Sequence, residues 1–180
     1  MMTEIETLIA ACQKQDRKAQ KRLYDLYAGK MLAICFRYVK SREDAEDVLQ
    51  EGFLKIFQQF NTYRNEGSFE GWMKRIFVGL SIDFFRKNRK FDFNLPVEEA
   101  ENVGVNDVLS SFSVNEILEA IASLSDGYRL VFNMYAIEGF SHKEIADKLN
   151  ISEGTSKSQL ARAKMKLVEL LKNKNIYAHG

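Results

Sequence analysis

The chain has 180 residues, of which 46% are hydrophobic and only one is proline. It therefore has enough apolar side chains for one ordinary domain or two small ones, and it is not a disordered or collagen-like chain. Its 26 basic and 25 acidic residues leave a formal charge of +1, which by itself argues against a nucleic-acid partner. Charged residues interrupt every apolar stretch, so none reaches the ~18 residues of a membrane span. The first residues do not resemble a signal peptide either, and we expect a cytoplasmic protein.

Helical periodicity runs through the first 90 residues. Apolar side chains recur at intervals of three and four positions, and Ser41 and Ser68 stand where side-chain caps would begin two of the helices. Cys12 and Cys35 fall within helical sequence and are too few for a disulfide framework, so we expect buried thiols. We predict helices over residues 3–12, 23–39, 42–60 and 68–90.

The predicted 42–60 helix carries an acidic face. Five acids occupy the nine residues from Glu43 to Glu51. Acids in the first turn stabilise a helix through its dipole, but Asp47 and Glu51 lie beyond that turn. We therefore interpret this face as a contact surface for a basic protein partner.

The next stretch, residues 63–90, mixes six aromatic with seven basic residues. Aromatic faces and cations together suit single-stranded nucleic acid, because unstacked bases need a platform and the phosphates need positive charge. Tyr63 and Phe69, in or beside the loop, are the predicted base contacts. Trp72 and Phe84 are predicted to belong to the core.

The charge is divided unevenly along the chain. Residues 1–90 carry +5, residues 91–113 carry −5 and residues 114–180 carry +1. The middle stretch has no base, contains the single proline, Pro96, and lacks helical periodicity, which is typical of a linker. These patterns predict an all-α protein with two small helical domains joined by a flexible acidic linker.

The last domain ends in a helix-turn-helix pattern. In GFSHKEIADKLNISEGTSKSQLARAKMK, which begins at Gly139, Ser141 and Glu144 form a predicted capping box. Asn150 suits the turn between the two helices, and Ser152 is the predicted cap of the second helix. We predict helices over residues 114–124, 127–137, 141–149 and 152–172.

The second helix of this motif has a polar face that is poor in acids. Hydroxyl, amide and guanidinium groups hydrogen-bond to base edges and phosphates in a DNA major groove. The local charge also favours DNA binding, since residues 157–174 hold six bases and one acid. An ordinary solvated helix pair is the alternative interpretation. The side chains predicted to face DNA are those of Thr155, Lys157, Ser158, Gln159 and Arg162.

These features in this order resemble bacterial RNA polymerase sigma factors of the extracytoplasmic-function (ECF) group. The resemblance covers about residues 19–173. It is carried by three motifs: LYDLYAGKMLAICFRYVKSREDAEDVLQEGFLKIF, FEGWMKRIFVGLSIDFFRK and LSDGYRLVFNMYAIEGFSHKEIADKLNISEGTSKSQLARAKMKL. It implies a sigma region 2-like bundle at 1–90, an acidic linker at 91–113 and a region 4-like helix-turn-helix domain at 114–180.

The resemblance also implies partners and the residues that contact them. The first domain would bind the clamp helices of the polymerase beta-prime subunit, and it would melt and read the minus-10 element. The second domain would read the minus-35 element through the five residues named above while touching the beta flap. The linker would run through the RNA exit path. The implied polymerase contacts are Asp44, Asp47, Gln50 and Glu51. The implied minus-10 contacts are Tyr63, Arg64, Phe69, Lys74, Arg75, Arg86 and Lys87.

Members of this family are often held by an anti-sigma protein, so such a partner is expected here, with a monomer when the chain is free. Three positions depart from the usual pattern. Gly79 stands where the family commonly has Asn, and Ser156 and Gln159 stand where Val and Arg are frequent. Because Gln pairs with adenine where Arg favours guanine, the promoter preference is expected to differ.

Other classes of function fit the sequence less well. A conventional dimeric helix-turn-helix regulator is the main alternative, although residues 1–90 lack a receiver or ligand-domain pattern. An enzyme is disfavoured, because the two histidines, His142 and His179, and the two cysteines show no metal-ligand spacing. Asp83 is interpreted as a structural helix residue. We therefore expect no catalytic residue, no cofactor, no metal and no small-molecule substrate. A helical protein-interaction module is a further alternative.

Overall fold

The computed structural model of the chain describes residues 3–63, 67–88 and 112–178, with side chains through residue 173. Every regular element among these residues is helical, as predicted. Within the same residues, no helix is both long and apolar enough to cross a membrane. The chain divides into two compact units, Met1–Asn88 and Arg89–Gly180. Most of the predicted linker at 91–113 lies outside the described residues.

In the first unit, residues 3–63 and 67–88 form four α-helices and a short 3-10 turn that lies between the last two helices. Each of the first three helices begins at a side-chain cap: Thr3 accepts from Glu6 N, Asp16 from Lys18 N and Ala19 N, and Ser41 from Asp44 N. The Ser41 cap confirms the predicted start of the third helix. The elements are α1 (Glu4–Gln13), α2 (Arg17–Tyr38), α3 (Arg42–Gln59), the 3-10 turn Phe60–Thr62 and α4 (Phe69–Asn88).

The core of this unit lies between α2, α3 and α4, and α1 packs on α2. Leu23, Met31, Ile56 and Phe77 are fully buried there. The thiols of Cys12 and Cys35 are also buried, as predicted. Burial raises the pKa of each thiol to about 11, and the nearby carboxylate of Asp16 adds to the shift at Cys12.

In the second unit, the described residues 112–178 form four α-helices and one π-helical turn. The predicted helix over 127–137 differs in its last part, which is a wider turn in which Glu138 N donates to Asn133 O at 3.0 Å. Capping boxes begin the first and third helices, at Ser113 with Glu116 and at Ser141 with Glu144. The elements are α5 (Val114–Ser123), α6 (Asp126–Phe132), the π turn Asn133–Ile137, α7 (His142–Leu149) and α8 (Glu153–Ala178).

The α7–α8 pair has the predicted helix-turn-helix form. Asn150 adopts the left-handed conformation, with φ 55° and ψ 50°, and Ile151 N then donates to Ala146 O at 3.1 Å. Ser152 Oγ accepts from Thr155 N at 2.9 Å and caps α8. The apolar faces of the two helices meet in the core of the unit. The buried residues on them are Ile145, Ala146 and Leu149 on α7, and Leu160, Ala163, Leu167 and Val168 on α8.

Candidate protein- and DNA-binding surfaces

The polar face of α3 is exposed along its length. Asp47, Gln50 and Glu51 are exposed and Asp44 is half-buried, whereas Val48 and the other apolar residues at core spacing are buried. Asp44, Asp47 and Glu51 are three and four residues apart, so they lie on one face. Gln50 Nε2 donates to the hydroxyl of Tyr24 on α2 at 3.4 Å. The structure thus brings the four predicted polymerase contacts together. We name this surface, Asp44, Asp47, Gln50, Glu51 and Leu54, the α3 face.

Leu54 is the member of the α3 face that sequence reasoning missed. It lies three residues beyond Glu51 and is 61% exposed. The available signal was its spacing, since it falls outside the buried stripe of Val48, Phe53 and Ile56. A large apolar side chain among exposed acids is typical of a protein interface, where apolar residues form the centre and charges the rim.

The two aromatic residues predicted as base contacts are instead buried. Tyr63 is 9% exposed and Phe69 is 6% exposed. Their rings meet edge to face at 5.2 Å, and Phe69 stacks on Phe60 at 5.6 Å. The Tyr63 hydroxyl donates to Gly67 O at 3.1 Å. The expectation of exposed rings is therefore wrong, because the 3-10 turn folds the chain back so that these aromatics cover one another.

Trp72, which was assigned to the core, is half-buried and covers this cluster from α4. Its ring lies 5.3 Å from Tyr63 and 5.6 Å from Phe69. Arg75, Gly79 and Arg86 lie three, seven and fourteen residues after Trp72, which places all four on one face of α4. We name these four residues the α4 face.

The other predicted minus-10 contacts do not share the α4 face. Lys74 is half-buried on another side of α4, and Lys87 is exposed at the end of the helix. Arg86 pairs with Asp83 at 3.5 Å, which supports the structural role expected for that carboxylate. Arg64 lies outside the described residues. Of the predicted cations that the structure describes, Arg75 and Arg86 lie together on the α4 face, and Lys74 and Lys87 do not.

The first turns of α8 present four of the five predicted minus-35 residues. Lys157 is exposed, and Thr155, Ser158 and Arg162 are half-buried. Thr155 Oγ1 lies 2.9 Å from Ser152 Oγ, and Ser158 Oγ donates to Thr155 O at 3.0 Å. The two hydroxyls are therefore oriented by the helix itself. We name these four residues the α8 face.

Gln159 is the exception, and its prediction as an outward-facing residue is wrong. It is 3% exposed and Ser156 is fully buried. Both lie on the same stripe as Leu160, Ala163 and Leu167, which face the core. The hydrophobic residues alone did not reveal that polar residues extend the buried stripe. The proposed pairing of Gln159 with adenine is not possible in this conformation.

Beside the α8 face, a groove of about 520 Å³ opens along α8. Tyr128, Met165 and Val168 supply its apolar lining, and Arg162 and Lys172 line it with positive charge. Met165 is 43% exposed. The groove therefore offers an apolar surface with a basic rim next to the side chains of the α8 face.

His142, the first residue of α7, was considered from sequence only as a metal ligand. Its ring stacks on Tyr135 of the π turn at 4.6 Å, and its Nδ1 lies 2.9 Å from Ser156 Oγ on α8. Burial lowers the pKa of the imidazole, and the positive charge of Lys157 lowers it further. Among the described residues, no cluster of His, Cys, Asp or Glu is suited to hold a metal ion.

Both units match known protein families. The Sigma-70 region 2 family covers residues 23–91, and the family described as Sigma-70, region 4 covers residues 115–167. The ECF RNA polymerase sigma factor SigW of Bacillus subtilis is 30% identical over 94% of this chain and 97% of its own length. The chain belongs to the ECF sigma factors.

Two other proteins similar to this ECF sigma factor match nearly its whole length. The ECF sigma-E factor of Haemophilus influenzae is 29% identical over 94% of each chain. CnrH, solved in complex with the cytosolic domain of CnrY, has the same fold, with a TM-score of 0.51, 21% identity, and coverage of 93% of this chain and 96% of that chain.

As an ECF sigma factor, the chain directs promoter recognition, DNA melting and transcription initiation, and its partners are core RNA polymerase and promoter DNA. Members of this family are DNA-binding initiation factors and not enzymes as a class. A conventional helix-turn-helix regulator is not favoured, since the first unit matches sigma region 2.

Proposed function

We propose that this sigma factor binds core polymerase through the α3 face, contacts the minus-10 element through the α4 face and reads the minus-35 element through the α8 face. The corresponding domains would be residues 1–90 and 114–180, with 91–113 as the acidic linker through the RNA exit path. On the polymerase, the implied partners are the clamp helices of the beta-prime subunit for the first domain and the beta flap for the second.

The α3 face is the observation that carries this proposal. Its acids at Asp47 and Glu51 are exposed and lie beyond the first turn of the helix, so the helix dipole does not account for them. Leu54, 61% exposed, adds an apolar contact at the end of the same line. Such a surface would be repelled by DNA phosphates and fits a basic protein surface.

Charge reversal tests this surface. The double substitution Asp47→Lys with Glu51→Lys should weaken binding to core polymerase at least tenfold, because close like charges across an interface cost several kcal/mol. The measurement is the equilibrium affinity of labelled core polymerase for the full chain. The matched control is Glu119→Lys with Asp147→Lys, which changes the net charge by the same amount at exposed acids of the second unit. Equal affinities for the two double variants would contradict the proposal.

Contact with the minus-10 element would rest on the α4 face. Trp72 has part of its ring exposed and is supported from below by Tyr63 and Phe69, so it would stack on an unpaired base, with Arg75 and Arg86 beside the phosphates. Stacking of this kind contributes about 1 to 3 kcal/mol per base. Tyr63 and Phe69 would then act by holding Trp72. The remaining proposed minus-10 contacts, with phosphates, are Arg64, Lys74 and Lys87.

Contact with the minus-35 element would rest on the α8 face. Lys157 would neutralise a phosphate, and Arg162 would reach a base edge or a second phosphate. The hydroxyls of Thr155 and Ser158 would accept or donate at the groove edge. The groove along α8, with Tyr128 and Met165 in its lining, would receive an apolar segment of the beta flap.

We further propose that an anti-sigma protein regulates this chain and that the free chain is cytoplasmic. An anti-sigma protein would occupy the same surfaces and compete with the polymerase; CnrH, which has the same fold, was solved bound to the cytosolic domain of CnrY. The free chain would be a monomer in the cytoplasm. It would have no catalytic activity and no cofactor, and the polymerase would supply the chemistry.

A further inference from the structure

His142 connects three elements of the second unit. It begins α7, its ring stacks on Tyr135 in the π turn at 4.6 Å with 23° between the planes, and its Nδ1 lies 2.9 Å from Ser156 Oγ on α8. The last contact joins residues fourteen positions apart. It is therefore a tertiary contact between the two helices of the helix-turn-helix motif.

The contact matters because its second partner, Ser156, is a buried polar residue next to the α8 face. The residue is fully buried and lies in the first turns of α8 between Thr155 and Lys157, two members of the α8 face. A buried hydroxyl without a partner destabilises the folded state, because it gives up its hydrogen bonds to water and gains none in return. The imidazole of His142 supplies the partner, so the side chain of Ser156 is joined to α7 by a polar contact as well as by the apolar packing around it.

The surroundings of the ring favour its neutral form, because burial lowers the pKa of His142. The charged groups that act on it from α8 are Lys157 and Lys164, which disfavour the imidazolium, and Glu153, which favours it. Burial has the largest effect and also disfavours the charged form. The hydroxyl of Ser156 donates or accepts according to the tautomer of the neutral ring.

We propose that His142 is a positioning residue for minus-35 recognition, holding α8 through Ser156 so that Thr155 and Lys157 meet the promoter at a fixed height and rotation. The inference rests on the proposed function, since the α8 face is itself proposed as the minus-35 reader. Side chains that read base edges must be held to about 0.5 Å and 10 to 20°. If α8 moved relative to α7, its side chains would contact the correct base edges less often, whereas contacts with phosphates would be less affected. We therefore expect discrimination between promoters to fall more than general affinity for DNA.

Two substitutions separate the contacts of His142. His142→Phe keeps an aromatic ring for the stack on Tyr135 but has no atom to bond Ser156. His142→Asn keeps a polar group near the position of Nδ1 and removes the ring. Ser156→Ala removes the other partner, and the double variant His142→Phe with Ser156→Ala completes the cycle.

The measurement uses holoenzyme assembled from core polymerase and the full chain. A promoter is first identified by sequencing transcript 5′ ends after overexpression. Holoenzyme affinity is then measured for a DNA fragment with this promoter and for the same fragment with a scrambled minus-35 region. The ratio of the two affinities is the minus-35 selectivity. It is recorded together with the thermal unfolding midpoint of each variant, so that a loss of folding is recognised.

We expect His142→Phe to lower the selectivity about threefold to tenfold, the range of one neutral hydrogen bond. His142→Asn should stay within about twofold of the parent, and the double variant should lose no more than His142→Phe alone. Unchanged selectivity in His142→Phe, or losses that multiply in the double variant, would overturn the inference.

Failure of the proposed function gives a different pattern. Arg162→Ala is measured in the same assay and should lower the selectivity if the α8 face reads the minus-35 element. If Arg162→Ala leaves the selectivity unchanged, the proposed function of α8 fails, and the inference about His142 fails with it. If Arg162→Ala lowers the selectivity and His142→Phe does not, only the inference about His142 is overturned.

Discussion

Gly52 on α3 lies directly against the ring of Phe77 on α4, and a Cβ at residue 52 would overlap three atoms of that ring. Phe77 is fully buried, and its ring also meets Phe53 edge to face at 5.4 Å, so a shift of this ring would disturb other contacts in the core. The close approach at this glycine sets the distance between the helix that carries the α3 face and the helix that carries the α4 face.

The first prediction concerns this contact. Gly52→Ala should destabilise the first unit by about 1 to 3 kcal/mol, the usual effect of overpacking, even though alanine is the better helix former. Fluorescence of Trp72, the only tryptophan in the chain, reports unfolding of this unit in denaturant. The matched control is Gly29→Ala on α2, where a Cβ meets nothing within 4 Å; it should stabilise by up to about 1 kcal/mol. A denaturant midpoint for Gly52→Ala at or above that of the parent would contradict the prediction, because it would mean that the Phe77 ring moves and makes room for the added Cβ.

The second prediction concerns the turn of the helix-turn-helix motif. Asn150 has φ 55°, a conformation that costs residues with a Cβ about 1 to 2 kcal/mol and that Asn and Gly tolerate best. Asn150→Ala should therefore raise the hydrogen-exchange rates of amides in α7 and the first turns of α8 several-fold, whereas Asn150→Gly should leave them close to the parent. Equal protection in the two variants would exclude backbone strain as the reason for Asn at this position.

The third prediction concerns the thiols. The pKa of Cys12 and that of Cys35 are both raised to about 11 by burial, so at pH 8 almost no thiolate is present in the folded chain. Iodoacetamide at pH 8 should label neither cysteine in the native protein and both in guanidinium chloride. Mass spectrometry of tryptic peptides distinguishes the two sites. Rapid native labelling of Cys12 alone would mean that α1 detaches from α2 in solution.

The fourth prediction is a pH dependence of stability that comes from His142. Burial, together with the charge of Lys157, lowers its pKa in the folded chain, whereas the unfolded chain keeps the usual value of about 6.5. The unfolded state therefore binds more protons between these two values, so the free energy of unfolding falls as pH drops below about 6.5. Above that pH the group contributes its full stability.

Calorimetry of the parent and of His142→Asn between pH 8 and pH 5 measures this effect, because the variant has no group that titrates at residue 142. The difference in unfolding free energy between parent and variant should shrink as pH falls through the window. Parallel curves for the two proteins would contradict the assignment of the titration to His142.

Much of the fold follows from the sequence through local interactions. The caps at Ser41, Ser141 and Ser152 and the left-handed Asn150 depend on residues three to five positions apart, and the last three of these, with the helical periodicity on either side of them, predicted the helix-turn-helix form. The membership in the sigma family was likewise readable, because the three motifs occur in order along nearly the whole chain. The helical spacing also placed the acids of α3 on one exposed face.

The tertiary structure decided which polar and aromatic side chains are exposed. Tyr63 and Phe69 are buried because the 3-10 turn brings them onto Phe60, while Trp72, assigned to the core, keeps part of its surface. Gln159 and Ser156 lie on the buried stripe of α8, and Ser156 finds its partner in His142 from another helix. Helical spacing determines the face on which a residue lies, but its burial depends on which distant segment covers that face, and that is set by packing.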